Sequence, residues 1–583
     1  MPKSYDRREF LNKSVRAGTA FTVLGAGGML LDACGGNNSG GTVPNTTLSK
    51  TKALQVGVNP PPKSAKLGGS VVFGTEAEES GMDPTYGHFD STGVLYARCV
   101  FDPLAMVTES GQVVPYLAQS ITPNSTYTKW QIRMRPNIKF SDGTDCDADA
   151  MLFCMEHFQS SLLTGYALNY WETKNAVTKV DDLTIQINMV APWVSFPAWL
   201  CGYIGGQVAY MFSPTAYSAG SESAFSLHPI GTGPFKLKVW DVGSQFVCER
   251  NPYYWRKDSL GRQLPYLDSW TYRPMPTVSE RLNALQSDSI HMMHTDDDPT
   301  IFQVERDKKL SLILDDELDI GEPDCLFAMI NTKDSLLKDL SLRQALAYSF
   351  NQAEYSKVVG TSDGHGPSLL EGITGPFSKP SPYYGPTGYP AFDLNKAKSL
   401  VASWKAQNGG KTPSIAYTTT TGANQDGYTL VQYMMQQAGF KVSVSMVEQA
   451  SLINDALGGG YQVFAWRQFA NIDPDLNYVF WTKAAGNINF ARNIDPIIDT
   501  AMDTARQTTD QSTRLASYQK VAERFAVDLP YIWAARDVWC VAAQNTVQNW
   551  NNPSTPDTPY TRGLSMLSGI IMPTQVWLDS SAS

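Results

Sequence analysis

From Ser414 the chain alternates strand-forming and helix-forming stretches, and that alternation limits the fold more than any other feature. "SIAYTT" reads as a strand, "NQDGYTLVQYMMQQAG" as a helix, "KVSVSMV" as a strand, "ASLINDAL" as a helix and "YQVFAW" as a strand. Strands joined by helices run parallel and cross right-handedly, so this is a βαβαβ unit. In open sheets of this kind ligands gather beyond the carboxyl ends of the strands. The stretch "WRQFANIDPD" follows such an end. Its residues Trp466, Arg467, Phe469, Asn471 and Asp473 are therefore the candidate ligand-binding set. Three of them have ordinary alternatives: Trp466 and Phe469 suit core packing, and Arg467 suits a solvated surface.

Upstream, "KWQIRMRPNIKF" alternates through Trp130, Ile132 and Met134, turns at "SDGT", and leads into a helix from about Asp147 to Gln159. Thr144 and Asp147 form a capping-box pattern at its start. "DLTIQINM" and "GPFKLKVWDVGSQFVCERNP" add strand and hairpin signals, so residues 68 to about 320 read as sheet with intermittent helices. "LSLRQALAYSFN" and "DLNKAKSLVASW" each place their apolar residues on one helical face, the second with Asp393 as cap. The class is α/β.

The amino terminus has the parts of an export signal. Arg7 and Arg8 precede Phe10 and Leu11, and an uncharged Gly/Ala-rich run from Ala17 to Leu31 follows. That run is short for a bilayer span and matches a twin-arginine signal, residues 1–33. It ends in "LLDAC", a lipobox-like pattern that makes Cys34 the candidate lipidation site, although Asp32 departs from the usual small residue. The alternative is an ordinary cysteine on a released protein. Residues 34–67 are rich in Gly, Asn, Pro, Ser and Thr and read as a flexible tether.

The remaining chain, about 550 residues counted from Cys34, is too long for one core. Formal net charge is −10, and near −12 without the signal. Such acidity offers phosphates no basic stripe, so nucleic acid is disfavoured as a partner. Chemistry is sparse. No Walker loop, H-E-x-x-H or C-x-x-C is present. The "GTGPF" run from Gly231 reads as a tight turn before a strand, because Pro234 stands where a phosphate loop would need a helix to begin. Cys146 and Cys154 fall in one helical stretch, about 12 Å apart, too far for a disulfide. His291 and His294 in "HMMHTDDD" put their rings on opposite faces of a strand, which disfavours a metal site. No catalytic residue and no cofactor are implied, and an exported hydrolase would lack an activated nucleophile.

Several stretches, in order, resemble the family-5 extracytoplasmic solute-binding proteins of ABC importers, the group with dipeptide- and oligopeptide-binding proteins. They are "WQIRMRPNIKFSDGTDCDADAMLFCMEHF", "GTGPFKLKVWDVGSQFVCERNPYYW", "RLNALQSDSI", "INTKDSLLKDLSLRQALAYSFNQ", "FDLNKAKSLV" and "FANIDPDLN". The resemblance implies a two-lobed periplasmic-binding-protein-like fold with a hinge between the lobes. Lobe I would span 68–320 with an extra subdomain at about 111–225, lobe II 321–537, and 538–583 would return to lobe I. The hinge crossings would lie near "LDIGEPDCLF" and "AARDVWCVAA".

It also implies a monomer outside the cytoplasm, in the periplasm or at the cell surface, that captures a peptide or related solute and delivers it to a membrane permease. An oligosaccharide or a carboxylated metabolite is the alternative solute. Peptide-binding relatives hold the ligand's α-ammonium with a carboxylate just before the Asp-Pro pair. Ala470 stands at that position here. With Arg467 three residues earlier, the local preference is expected to reverse toward an anion or a neutral polar group, unless Asp473 or Asp475 takes the missing role.

Overall fold

The computed structural model describes residues 65–579 except 88, 162–163, 204–206, 316–323, 362–367, 380, 423, 469–470, 552 and 558–560. The expected signal, Cys34 and most of the tether lie outside the described residues, as do Phe469 and Ala470.

Two large sheets divide the molecule. In the first the strand order is Leu310–Leu314, Cys540–Gln544, Met292–Thr295, Ser70–Thr75, Ser269–Pro274, Gln245–Arg250 and Phe235–Asp241. Ser70–Thr75 lies at its centre and runs parallel to both neighbours. In the second the order is Glu371–Gly372, Tyr531–Arg536, Cys325–Ile330, Val463–Gln468, Ser414–Thr420 and Lys441–Val447. Its last three strands are the βαβαβ unit. Ser414–Thr420 pairs in parallel with both Lys441–Val447 and Val463–Gln468, and the intervening helices are Gln425–Gln437 and Gln449–Gly458. The expected unit is present, with its last strand extended two residues to Gln468.

A smaller antiparallel sheet, in the order Ala118–Pro123, Lys129–Met134, Thr184–Asn188 and Val177–Asp181, forms the extra subdomain. The helix after its second strand spans Ala148–Ser160 and is capped by Asp147, whose side chain accepts from the N–H groups of Asp149 and Ala150. Thr144 is not part of that cap; it bonds Asp142. Cys146 lies before the helix rather than within it. All seven cysteines among the described residues are buried free thiols. The "GTGPF" turn has a packing reason: a Cβ on Gly233 would come within 2.5 Å of the Cys99 carbonyl oxygen. Only glycine lets the turn lie against the end of the helix Ser91–Val100. Asp393 caps its helix as expected, accepting from the Lys396 N–H, with Ala397 and Val401 buried.

The chain passes between the large sheets twice. Leu310–Leu314 belongs to the first and Cys325–Ile330 to the second; Tyr531–Arg536 belongs to the second and Cys540–Gln544 to the first. The two crossings lie side by side. The Asp537 N–H donates to the Asp324 carbonyl at 2.9 Å. The Asp315 carboxylate accepts from the backbone N–H of Trp539 at 2.8 Å and of Ser568 at 3.0 Å.

A second junction is formed chiefly by side chains, with the Val194 N–H donating to the Arg506 carbonyl at 2.9 Å. Asp475 is fully buried, and its carboxylate accepts from Arg506 Nε at 2.7 Å, Trp193 Nε1 at 2.7 Å, Ser195 Oγ at 2.7 Å and Trp199 Nε1 at 2.9 Å. The Arg506 guanidinium lies 3.6 Å from the Tyr478 ring centroid and 4.2 Å from that of Trp193. Burial alone would raise the Asp475 carboxyl, but Arg506 and the indole and hydroxyl donors hold it below its ordinary value. This ion pair fixes the subdomain to the segment that follows the βαβαβ unit.

Candidate functional site

A cleft of about 1150 Å³ opens between the large sheets. Its position follows from strand direction. In the second sheet, the carboxyl ends of the parallel strands deliver Thr419, Thr420, Trp466, Arg467 and Gln468 to its wall. In the first sheet, the parallel strands Ser70–Thr75 and Met292–Thr295 end there in "EAEE" and "DDD", residues 76–79 and 296–298. Both halves of the molecule therefore point strand ends into one space.

Trp466 is half-buried on the cleft wall and packs edge-on against Phe490, with ring centroids 5.3 Å apart. Arg467 also lines the cleft, but its guanidinium is occupied by the protein. It forms ion pairs with Glu76 and, at 2.6 Å, with Asp296, both across the cleft in the first sheet's lobe. Its guanidinium also lies 4.6 Å from the Trp539 ring centroid. Gln449 reaches across in the same sense to Asp90, and Asn424 to Asp297 at 3.2 Å. The lobes thus meet through polar side chains at the cleft mouth.

Two of the expected ligand residues lie elsewhere. Asn471 is buried and does not line the cleft. Asp473 caps the short turn of helix that follows it, and its carboxylate takes Arg514 at 2.5 Å and Tyr518 at 3.4 Å. Asp475 is enclosed in the Arg506 junction. Neither aspartate is offered to a solute, because the loop turns them inward to compensate arginines. His291 and His294 are also engaged, accepting from the backbone N–H of Val72 at 3.1 Å and Glu76 at 3.0 Å. No cluster of three or more His, Cys, Asp or Glu side chains among the described residues is arranged to hold a metal.

The charge of the cleft differs from the expected one. Ten carboxylate side chains line it against two guanidinium groups, those of Arg281 and Arg467. The expectation of an anion preference rested on a free Arg467, and the ion pairs with Glu76 and Asp296 remove that basis. Burial and then the neighbouring Asp90 charge push Glu79 up to about 8; burial chiefly pushes Asp90 up to about 6. The sequence pattern points to ligand groups only after the βαβαβ unit. The rule about strand ends, applied to "VVFGTEAEES" and "HMMHTDDD", would have found the acidic wall had their parallel pairing been known.

A family model described as bacterial extracellular solute-binding proteins, family 5, matches residues 112–490. The chain belongs to that family. Among curated relatives, it is 24% identical over 485 residues to the glutathione-binding protein GsiB of Pectobacterium atrosepticum, covering 78% of this chain and 86% of that protein. It is 24% identical over 540 residues to the oligopeptide-binding protein AppA of Bacillus subtilis, covering 88% and 91%. Among solved structures, the periplasmic binding protein DppA of Helicobacter pylori in complex with the peptide STSA superposes with a TM-score of 0.75 at 21% identity, over 88% of this chain and 99% of that one. The two-lobed fold with an extra subdomain is the fold of this chain.

Proposed function

We propose that this family-5 protein captures a peptide or a related small solute between its lobes and delivers it to an ABC permease in the membrane. One observation carries the reading: a large cleft is walled by strand ends from both lobes and bridged by side chains from each. Closing the lobes buries the solute and presents one shape to the permease. The named relatives bind glutathione or peptides, which supports peptide-like solutes. Trp466 is the ring we assign to stacking on the solute, with Phe469 three positions later in the sequence as a second candidate. The protein acts by binding and not by catalysis.

We assign lobe I to 68 to about 320 with a subdomain at about 111–225, lobe II to about 321–537, and a return to lobe I from 538, a division the two crossings support. The protein works as a monomer outside the cytoplasm. It is exported by the twin-arginine route, lipidated at Cys34 and tethered by residues 34–67. Intact mass of the mature chain checks the anchor, since an unmodified cysteine or cleavage elsewhere would reject it.

A thermal-shift screen across peptides, oligosaccharides and small carboxylates tests the solute class, because a bound ligand raises the melting temperature by mass action. Solution scattering on each hit should show a smaller radius of gyration. A tight ligand that leaves the radius unchanged would refute closure.

A further inference from the structure

Among the carboxylates of the cleft, two have no ionic partner and little hydrogen bonding. Asp298 is 2% exposed, and neither of its oxygens accepts a hydrogen bond. The nearby N–H groups of Leu369 and Leu370 are close enough to lower its pKa slightly, yet their bonds go to the Gly360 carbonyl at 3.2 Å and Ser368 Oγ at 3.0 Å. Asp537 is also 2% exposed. Its Oδ1 takes only the Val538 N–H, at 3.0 Å, and its Oδ2 takes nothing. Both residues line the cleft, one from the end of a lobe I strand and the other from the second crossing. Tyr355 and Tyr417 line it too, and the Tyr355 hydroxyl lies within the field of Asp296, Asp298 and Asp537.

Such a pair is costly as it stands. A buried carboxyl without donors or a counter-charge loses its hydration and regains nothing. The surrounding charges do not relieve it. Asp296 and Asp297 face Asp298; Asp296, Asp324 and Asp298 face Asp537, and the cation acting on it, Arg467, is already paired to Glu76 and Asp296. Burial first, and these neighbours second, push both carboxyls well above the usual range. The natural complement is a compact cation with several N–H donors that enters from the cleft, beside the aromatic faces of the two tyrosines.

We infer that Asp298 and Asp537 form a subsite for a primary ammonium group of the captured solute. The inference rests on the reading of the cleft as the solute site. It replaces the anion preference expected from Arg467 with its opposite, and it moves recognition from the loop after the βαβαβ unit to lobe I and the crossing. A peptide amino terminus and a lysine side chain supply the same chemistry, and probes separate them.

Calorimetry and scattering with trialanine, N-acetyl-trialanine, N-acetyl-trilysine and maltotriose on the full mature protein test the inference. Trialanine binding at least tenfold more tightly than its acetylated form supports an amino-terminal ammonium; N-acetyl-trilysine binding where N-acetyl-trialanine does not supports a side-chain one. Asp298→Asn and Asp537→Asn should each weaken the ammonium probe roughly 10- to 150-fold, as expected for a hydrogen-bonded charged group. The same variants without ligand should melt higher than wild type at pH 8, because each removes an uncompensated carboxyl, whereas a structural role would lower the melting temperature. Equal affinity for trialanine, N-acetyl-trialanine and N-acetyl-trilysine, or full affinity in both variants, would overturn the subsite. Compaction by maltotriose or N-acetyl-trialanine with no ammonium preference would overturn the subsite and leave solute capture standing. Compaction by none of the four would overturn both.

Discussion

Asp475 and Asp537 are both buried aspartates where parts of the molecule join, yet their surroundings are opposite. Asp475 has four donors, one of them a guanidinium, and its carboxyl is held below its ordinary value. Asp537 has one backbone donor and a pKa raised well above the usual range, by burial and then by Asp296 and Asp324. A buried charge surrounded by its complement fixes two parts of a chain to each other. A buried acid left short of its complement is a place where another molecule can supply it.

The sharpest way to break this contrast is Asp475→Ala. It leaves Arg506 buried without its anion and three further donors without an acceptor, so unfolding should become easier by about 3–5 kcal/mol. Chemical denaturation read by Trp fluorescence measures it; a loss below about 1 kcal/mol would show that the junction contributes no more than an exposed ion pair.

The next effect comes from pH. Glu79 is raised to about 8 and Asp90 to about 6, while Arg467, Glu76 and Gln449 face them. Between the unfolded carboxyl pKa, near 4.5 for Glu79, and these folded values, the native state binds more protons than the unfolded chain. Stability is therefore complete below that window and falls as pH rises through it, by an amount on the order of 5 kcal/mol for Glu79 alone. Melting temperature should fall from pH 5 to pH 8, and Glu79→Gln should flatten the slope. A rise over the same range would contradict the assignment.

Arg467 lies between the two extremes, since its partners are acids of the opposite lobe. Arg467→Ala should widen the unliganded protein in scattering and weaken solute binding about tenfold by favouring the open form. Arg467→Lys, which keeps the charge but cannot reach both acids in a fork, should fall between. An unchanged radius in the alanine variant would mean that the pair does not hold the lobes together. The smallest change is expected for Trp466→Phe, which keeps a ring on the cleft wall. Affinity should drop about threefold, with loss of the ligand-induced fluorescence change; retention of that change would assign it to another tryptophan.

Part of this was legible in the chain because it is local. The βαβαβ unit, the Asp147 and Asp393 caps and the position of Trp466 and Arg467 follow from periodicity and short-range chemistry within a few residues. The partners of Arg467 do not, because Glu76 and Asp296 are brought to it by the pairing of Ser70–Thr75 with Met292–Thr295, segments far apart in sequence. Asp473 and Asp475 looked available because nothing in "NIDPDLN" announces that Arg506 and Arg514, on two later helices, will claim them. Charge at a site is a sum over distant segments, and the local pattern gives only one addend.

The two crossings, with Asp537 N–H on the Asp324 carbonyl and the Asp315 carboxylate bridging Trp539 and Ser568, behave as a pair of straps sewn together along one edge. Straps joined in this way bend about the line through them and resist torsion and sliding. Asp537 lies on that line as well as on the cleft, so a solute that neutralises it acts at the axis, where it can bias the angle without having to push on either rim.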